Sequence, residues 1–218
     1  KKQINNDSFI TKLKLDKFKY FKNPTFESLD DISKFTNEEK VKHLVLEYKE
    51  NKNKNIFTQL ANSDYFRSVA KYYLNTDQIF CNISIFISNP HSYSEQEKKN
   101  FAQYFHYDCD YKKFFKVFIY LNDVDEETGP HTFLKYSHKE KKFSHILAER
   151  LSDETIEKFY KKENVVKFIK KKGSVIIEDT FGLHKGETPS KNQRLMLIYE
   201  YGNCKPIYLD GDKYFFKV

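Results

Sequence analysis

Between residues 79 and 202 the chain is a series of short β-branched and aromatic runs, each cut off by turn-forming residues. IFCNISIFIS at 79–88 stops at Asn89-Pro90, and FFKVFIYL at 114–121 stops at Asn122-Asp123. HTFLKY at 131–136, VVKFIK at 165–170, SVIIED at 174–179 and RLMLIYEY at 194–201 follow. Runs of this length and composition predict strands, and their spacing predicts an antiparallel barrel or sandwich. One helix interrupts them. SDETIEKFY at 152–160 has Ser152 as N-cap and acidic residues in its first turn. Residues 1–75 read differently: 37–48 (NEEKVKHLVLEY) and 64–74 have the spacing of short amphipathic helices. The expectation is a mainly β fold with a mainly helical N-terminal region outside it. With no internal repeat and no Gly-, Pro- or Ser-rich linker, residues 1–218 are expected to form a single domain.

Composition excludes several classes. Apolar residues make up 39 % and aromatics 17 %, with 21 Phe and 16 Tyr but no Trp, which is enough to fill a core. The net charge of +7, from 38 basic and 31 acidic side chains, is spread among interspersed acids and reads as a general bias. No nucleic-acid partner is expected from it. The three cysteines, Cys81, Cys109 and Cys204, have neither a framework spacing nor a CxxC pair, which points to a cytoplasmic location. No apolar run approaches the ~20 residues of a membrane span. The chain opens on Lys1, so the natural start can lie upstream.

Of the seven histidines, two stand in a setting that metal chemistry requires. His106-Tyr107-Asp108, if extended, projects an imidazole and a carboxylate from one face. That pair suits a divalent metal of borderline softness. A second histidine would complete the two-His, one-carboxylate facial triad, which leaves open positions for a keto acid and dioxygen. His184, after the strand SVIIED and a turn, is the candidate. Arg194 opens the next strand, and its planar fork suits a carboxylate. A strand carrying His184 beside an antiparallel strand carrying Arg194 would put that cation just beyond the metal.

The stretch 103–139 (QYFHYDCDYKKFFKVFIYLNDVDEETGPHTFLKYSHK) resembles the core of the phytanoyl-CoA dioxygenase family. It shows Q-x-x-H-x-D, an aromatic-rich strand, a Leu-Asn-Asp-Val end, Gly-Pro and Ser-His-Lys. The stretch 173–199 (GSVIIEDTFGLHKGETPSKNQRLMLIY) resembles that family's second half. The resemblance implies a double-stranded β-helix (jelly-roll) fold, iron(II), 2-oxoglutarate and O2. It implies His106, Asp108 and His184 as metal ligands and Arg194 as the co-substrate arginine. Gly129-Pro130 and Ser137-His138-Lys139 match structural signatures, so His138 is read as structural. The segment 134–138 lacks the Pro-Gly that members often carry before Ser-His, and residues 1–75 show no match. Asp108 implies hydroxylation, since related halogenases have a small residue there. Asn82, on the strand at 79–88, is expected as a second contact to the co-substrate.

The substrate is expected to be a small molecule. The segment 135–172, with twice as many basic as acidic residues, suggests a lid favouring an anion. Two other functions remain open at this point. One is a cupin-like metal enzyme that does not use 2-oxoglutarate. The other is a non-catalytic binding module for nucleic acid, using the positive charge and the aromatics.

Overall fold

The computed structural model describes residues 9–13, 34, 42–48, 56–148, 150–204 and 216–217. Within them the chain forms a jelly roll of two antiparallel sheets. The strands are β1 (Phe9–Leu13), β2 (His43–Tyr48), β3 (Phe80–Ser88), β4 (Phe114–Tyr120), β5 (His131–Leu134), β6 (Val165–Lys167), β7 (Val175–Glu178), β8 (His184–Gly186), β9 (Arg194–Gly202) and β10 (Phe216–Lys217). The large sheet runs β1-β2-β3-β9-β4-β7, with β10 also on β3, and the small sheet runs β6-β5-β8. Every run read as a strand from the sequence is one. The helix Asp153–Phe159 is capped by Ser152, whose side chain accepts from the Thr155 N–H.

One reading is corrected. Residues 43–48 were expected to be helical, yet His43–Tyr48 is a strand paired with β3, His43 opposite Ser88 and Glu47 opposite Ser84. Its helical periodicity is weaker than the demand it meets. β3 is buried along nearly its whole length, and β2 covers its edge with Leu44, Val45 and Leu46, all buried. Residues 37–41 of that predicted helix lie outside the described residues. The segment 64–74 is a helix as expected, Asp64–Leu74, ending in left-handed Asn75.

Alternation of side chains across the large sheet sorts its two faces. Cys81, Ile83, Ile85 and Ile87 of β3 point outward with Leu195, Leu197, Tyr199 and Tyr201 of β9. Phe66, Ala70 and Leu74, spaced four apart on one helix face, cover them. The Tyr201 hydroxyl donates to the Ala61 carbonyl at 2.8 Å, tying this layer to the helix Ile56–Ala61. The inner face carries Phe86, Met196, Ile198, Phe118, Tyr120 and Ile176, which form a second core against the small sheet. That same face carries Asn82, Ser88, Arg194, Glu200, Lys116 and Glu178, set in it by the registers of β3, β9, β4 and β7.

The segment 135–172 lies on both sides of the small sheet: β6 is one of its strands, and Phe168 joins the inner core. Its Leu151 and Ile156 pack on Leu134 and Leu183, on the face of the small sheet turned away from the large one.

The two faces of β3 predict unequal costs of truncation. Ile85→Ala, at a site with no exposure, is expected to cost about 2–5 kcal/mol. Ser84→Ala, one residue along and facing the interior, is expected to cost less than about 1 kcal/mol. Urea denaturation of both variants checks the difference.

Candidate metal and co-substrate site

Two backbone hydrogen bonds bring the histidines together. His106 N–H donates to the His184 carbonyl at 2.9 Å, and His184 N–H donates to the His106 carbonyl at 2.8 Å. The two residues form an antiparallel bridge, so their side chains leave on the same side, with ring centroids 4.3 Å apart. Asp108 follows two residues later, its N–H bonded to the Thr180 carbonyl at 2.9 Å. One ligand atom from each of His106, Asp108 and His184 lies within 4.8 Å of the other two. Asp108 Oδ2 is 3.4 Å from His184 Nε2, and Asp108 Oδ1 is 3.8 Å from His106 Nε2.

The imidazoles are held in a metal-binding tautomer. His106 Nδ1 is 3.0 Å from the Tyr104 carbonyl, and His184 Nδ1 is 2.9 Å from the Gly182 carbonyl. A carbonyl only accepts, so each Nδ1 carries the proton and each Nε2 lone pair faces Asp108. This is the arrangement that orients histidine ligands around a metal. Two neutral imidazoles and one carboxylate fit iron(II) as a donor set. Ser137 supports His184: its hydroxyl donates to the Leu134 carbonyl at 2.6 Å and accepts the Leu183 N–H at 2.7 Å.

Charge around these residues is uneven. Burial, then the neighbouring His184, hold His106 well below the ordinary imidazole value. His184 is also buried, but Asp108 outweighs that burial and its pKa is raised. Burial alone would raise the Asp108 carboxyl, yet Lys116 and the two histidines hold it well below the usual carboxylate range. Lys116 Nζ, on β4, is 2.8 Å from Asp108 Oδ2, 3.3 Å from Asp110 Oδ2 and 3.1 Å from Glu200 Oε1. Glu178, opposite Lys116 on β7, sits 2.9 Å from His131 Nε2, and the His131 ring lies 5.7 Å from that of His184.

Arg194 starts β9 at the other end of the inner face. The sequence suggested that its strand would lie beside the His184 strand. Instead β8 and β9 belong to different sheets and face one another across the interior. Contact is close: a Cβ on Gly186 would come 2.4 Å from Arg194 Nη2. The guanidinium donates to the carbonyls of Gly129 and of Glu187 and, at 3.4 Å, to Ser88 Oγ. Gly129 has φ 73°, and a Cβ there would meet the backbone of 187–189, so the Gly129-Pro130 signature lets this carbonyl reach the arginine. Burial lowers the Arg194 pKa, but guanidinium remains charged. No ion pair to it forms among the described residues. A buried cation with neutral partners only is matched to an incoming anion.

Asn82 does not join Arg194. The residue of β3 opposite Arg194 is Ser88, while Asn82 lies opposite Glu200. Six residues of strand separate the two positions, roughly 20 Å at ~3.3 Å per residue. Asn82 and Arg194 therefore cannot hold the same carboxylate. Lys116, Glu178, His131, Glu200 and Ser88 escaped the sequence reading. Lys116 was legible as a lone charge inside the apolar run FFKVFIYL, and Glu178 as a charge closing the apolar run SVIIED.

The packing of Gly186 on Arg194 gives a prediction. Gly186→Ala displaces the end of a flexible side chain, so its cost in thermal stability is expected to be small. If the fork holds 2-oxoglutarate, as the family resemblance implies, its displacement should weaken that ligand, measured by calorimetry on metal-loaded protein, while leaving the metal affinity unchanged. Unchanged 2-oxoglutarate binding would show that Arg194 does not hold it.

No helix among the described residues is long and apolar enough to cross a membrane. No curated protein sequence matches the chain. HygX from Streptomyces hygroscopicus, solved with nickel and 2-oxoglutarate bound, shares its fold. The TM-score is 0.53 at 14 % identity, over 78 % of this chain and 77 % of that one. HygX with nickel, 2-oxoglutarate and hygromycin B bound matches at TM-score 0.51 and 13 % identity, over 89 % and 82 %. SnoN, a non-heme alpha-ketoglutarate-dependent epimerase from nogalamycin biosynthesis, matches at 0.51 and 14 %, over 78 % and 66 %. In sequence, residues 14–194 match the profile of the family described as phytanoyl-CoA dioxygenase (PhyH). With the match running through both histidines, the aspartate and the arginine, the chain belongs to the phytanoyl-CoA dioxygenase family, whose members are iron(II)- and 2-oxoglutarate-dependent oxygenases that use O2.

Proposed function

We propose that this oxygenase hydroxylates a C–H bond of a small molecule, with His106, Asp108 and His184 holding iron(II) and Arg194 anchoring 2-oxoglutarate. The convergence of the three side chains, with both Nε2 atoms turned toward Asp108, carries the reading. Iron with the keto acid supplies the oxidising power when bound. The chain supplies the rest. Two imidazoles and one carboxylate leave three positions open for the keto acid and dioxygen. Arg194, across the interior from His184, takes the far carboxylate in a two-pronged grip. Met196 and Ile198 follow Arg194 on the same inner face, and with Phe118 they keep the space between the sheets apolar and poor in water.

We infer a neutral or cationic substrate. The helical part of the basic segment that suggested an anion, around Leu151 and Ile156, packs on the outer face of the small sheet. Near Asp108 the half-buried Asp110 and the buried Glu200 and Glu178 outnumber Lys116. A charge series of candidate small molecules in a succinate-release assay tests this, and preferential turnover of anions would overturn it.

Hydroxylation itself needs a separate test, because SnoN shows that this fold also serves an epimerase. Product mass is the readout: a hydroxylase adds one oxygen, derived from dioxygen, and an epimerase adds none. Anaerobic addition of iron(II) and 2-oxoglutarate should give a weak visible charge-transfer band. Failure to bind 2-oxoglutarate would favour a cupin-like enzyme that does not use it.

Two substitutions separate the roles. Arg194→Ala should weaken 2-oxoglutarate by a factor of tens to thousands, from ~2–5 kcal/mol for a lost buried charged partner, with metal affinity unchanged. Asp108→Ala should weaken the metal and abolish substrate-coupled succinate formation. Its circular dichroism should be unchanged, because Lys116 keeps Asp110 and Glu200 as partners. Normal turnover in Asp108→Ala would remove Asp108 from the ligand set.

A further inference from the structure

We infer that Lys116 is a positioning residue that makes Asp108 a one-oxygen ligand; this rests on the proposed triad. Asp108 lies outside any strand or helix, and its backbone is tied there through the N–H bonded to Thr180. Its carboxylate needs a side-chain partner to have a defined orientation. Lys116 provides it, 2.8 Å from Oδ2, from the interior of β4, a strand paired on both edges by β9 and β7. Asp110 and Glu200 fix the ammonium in turn, at 3.3 and 3.1 Å. The lysine is largely buried, with a side-chain exposure of 16 %.

The consequence concerns coordination number. A facial triad leaves three positions for a bidentate keto acid and dioxygen. A carboxylate that chelates through both oxygens takes one of them. Oδ2 also lies 3.4 Å from His184 Nε2, but its bond to the Lys116 ammonium makes it the poorer donor to a metal, and Oδ1, 3.8 Å from His106 Nε2, is the oxygen left to give. A simple counter-ion role predicts something else. Lys116 would then only oppose the metal's charge, and its removal would tighten the metal with no effect on the keto acid.

The test compares wild type, Lys116→Met and Lys116→Arg in anaerobic titrations with iron(II) and then 2-oxoglutarate, following the charge-transfer band. In Lys116→Met, metal uptake should persist, because Asp110 and Glu200 lose their cation and the site becomes more acidic. The affinity for 2-oxoglutarate should fall roughly 10–100-fold, the usual effect of losing a group that orients a metal ligand, and the band should shift or fade. Lys116→Arg keeps a donor on the carboxylate and should stay close to wild type. Unchanged 2-oxoglutarate affinity and spectrum in Lys116→Met would overturn the inference. Lys116→Met removes the cation shared by Asp110 and the buried Glu200, so Lys116→Met/Glu200→Gln, which preserves net charge, carries the same expectation if the single variant unfolds. If both unfold, Lys116 is a structural counter-ion and the inference fails. A wild type that takes up no iron(II) would overturn the functional reading itself, and this inference with it.

Discussion

The paired backbone hydrogen bonds between His106 and His184 are the constraint on which the site depends. They join two segments far apart in sequence and put both imidazoles on one side of the small sheet. The Nδ1 bonds to the carbonyls of Tyr104 and Gly182 then fix which nitrogen faces inward. Each of these bonds uses a backbone carbonyl two residues upstream of its own histidine. The tautomer is therefore set locally, by the same extended backbone that sets the direction of the side chain. Ser137, bonded to both Leu134 and Leu183, keeps the second of these segments in register.

The large sheet divides its labour by face. Its outer face is an apolar layer under the helices, with Ile83, Ile85 and Val117 fully buried. Its inner face carries the ionisable groups, and they are graded along β9. Arg194 stands at one end, Met196 and Ile198 follow, and Glu200 stands at the other end beside Lys116. Cation, apolar stretch and acidic cluster thus lie in order along one strand. Burying so many charges is tolerable only because they meet partners: Lys116 has three carboxylates and Glu178 has His131. Arg194 differs. Its partners are two carbonyls and a hydroxyl, which is how a protein holds a cation ready for an outside anion.

Errors of the sequence reading have physical causes. The segment at 43–48 has helical spacing, but the edge of β3 claims it as a strand, since pairing a buried edge outweighs intrinsic preference. Asn82 was placed near the co-substrate because strand facing was unknown. It faces the interior, but only the pairing with β9 shows that Ser88, not Asn82, lies opposite Arg194.

By itself the sequence determined the strand runs, the capped helix at 152–160 and the residue types of the site: H-x-D, a later histidine and an arginine ten residues on. These are local or spacing signals, carried by side-chain alternation, turn residues and ligand chemistry. Only the tertiary structure decided what faces what. Arg194 meets Gly186, two residues beyond His184 on β8, from the opposite sheet, and Lys116 joins Asp108 and Asp110 to Glu200 of β9. Register and sheet closure set these meetings. Both depend on which strands pair over long sequence separations, and the pattern within any one strand does not contain that information.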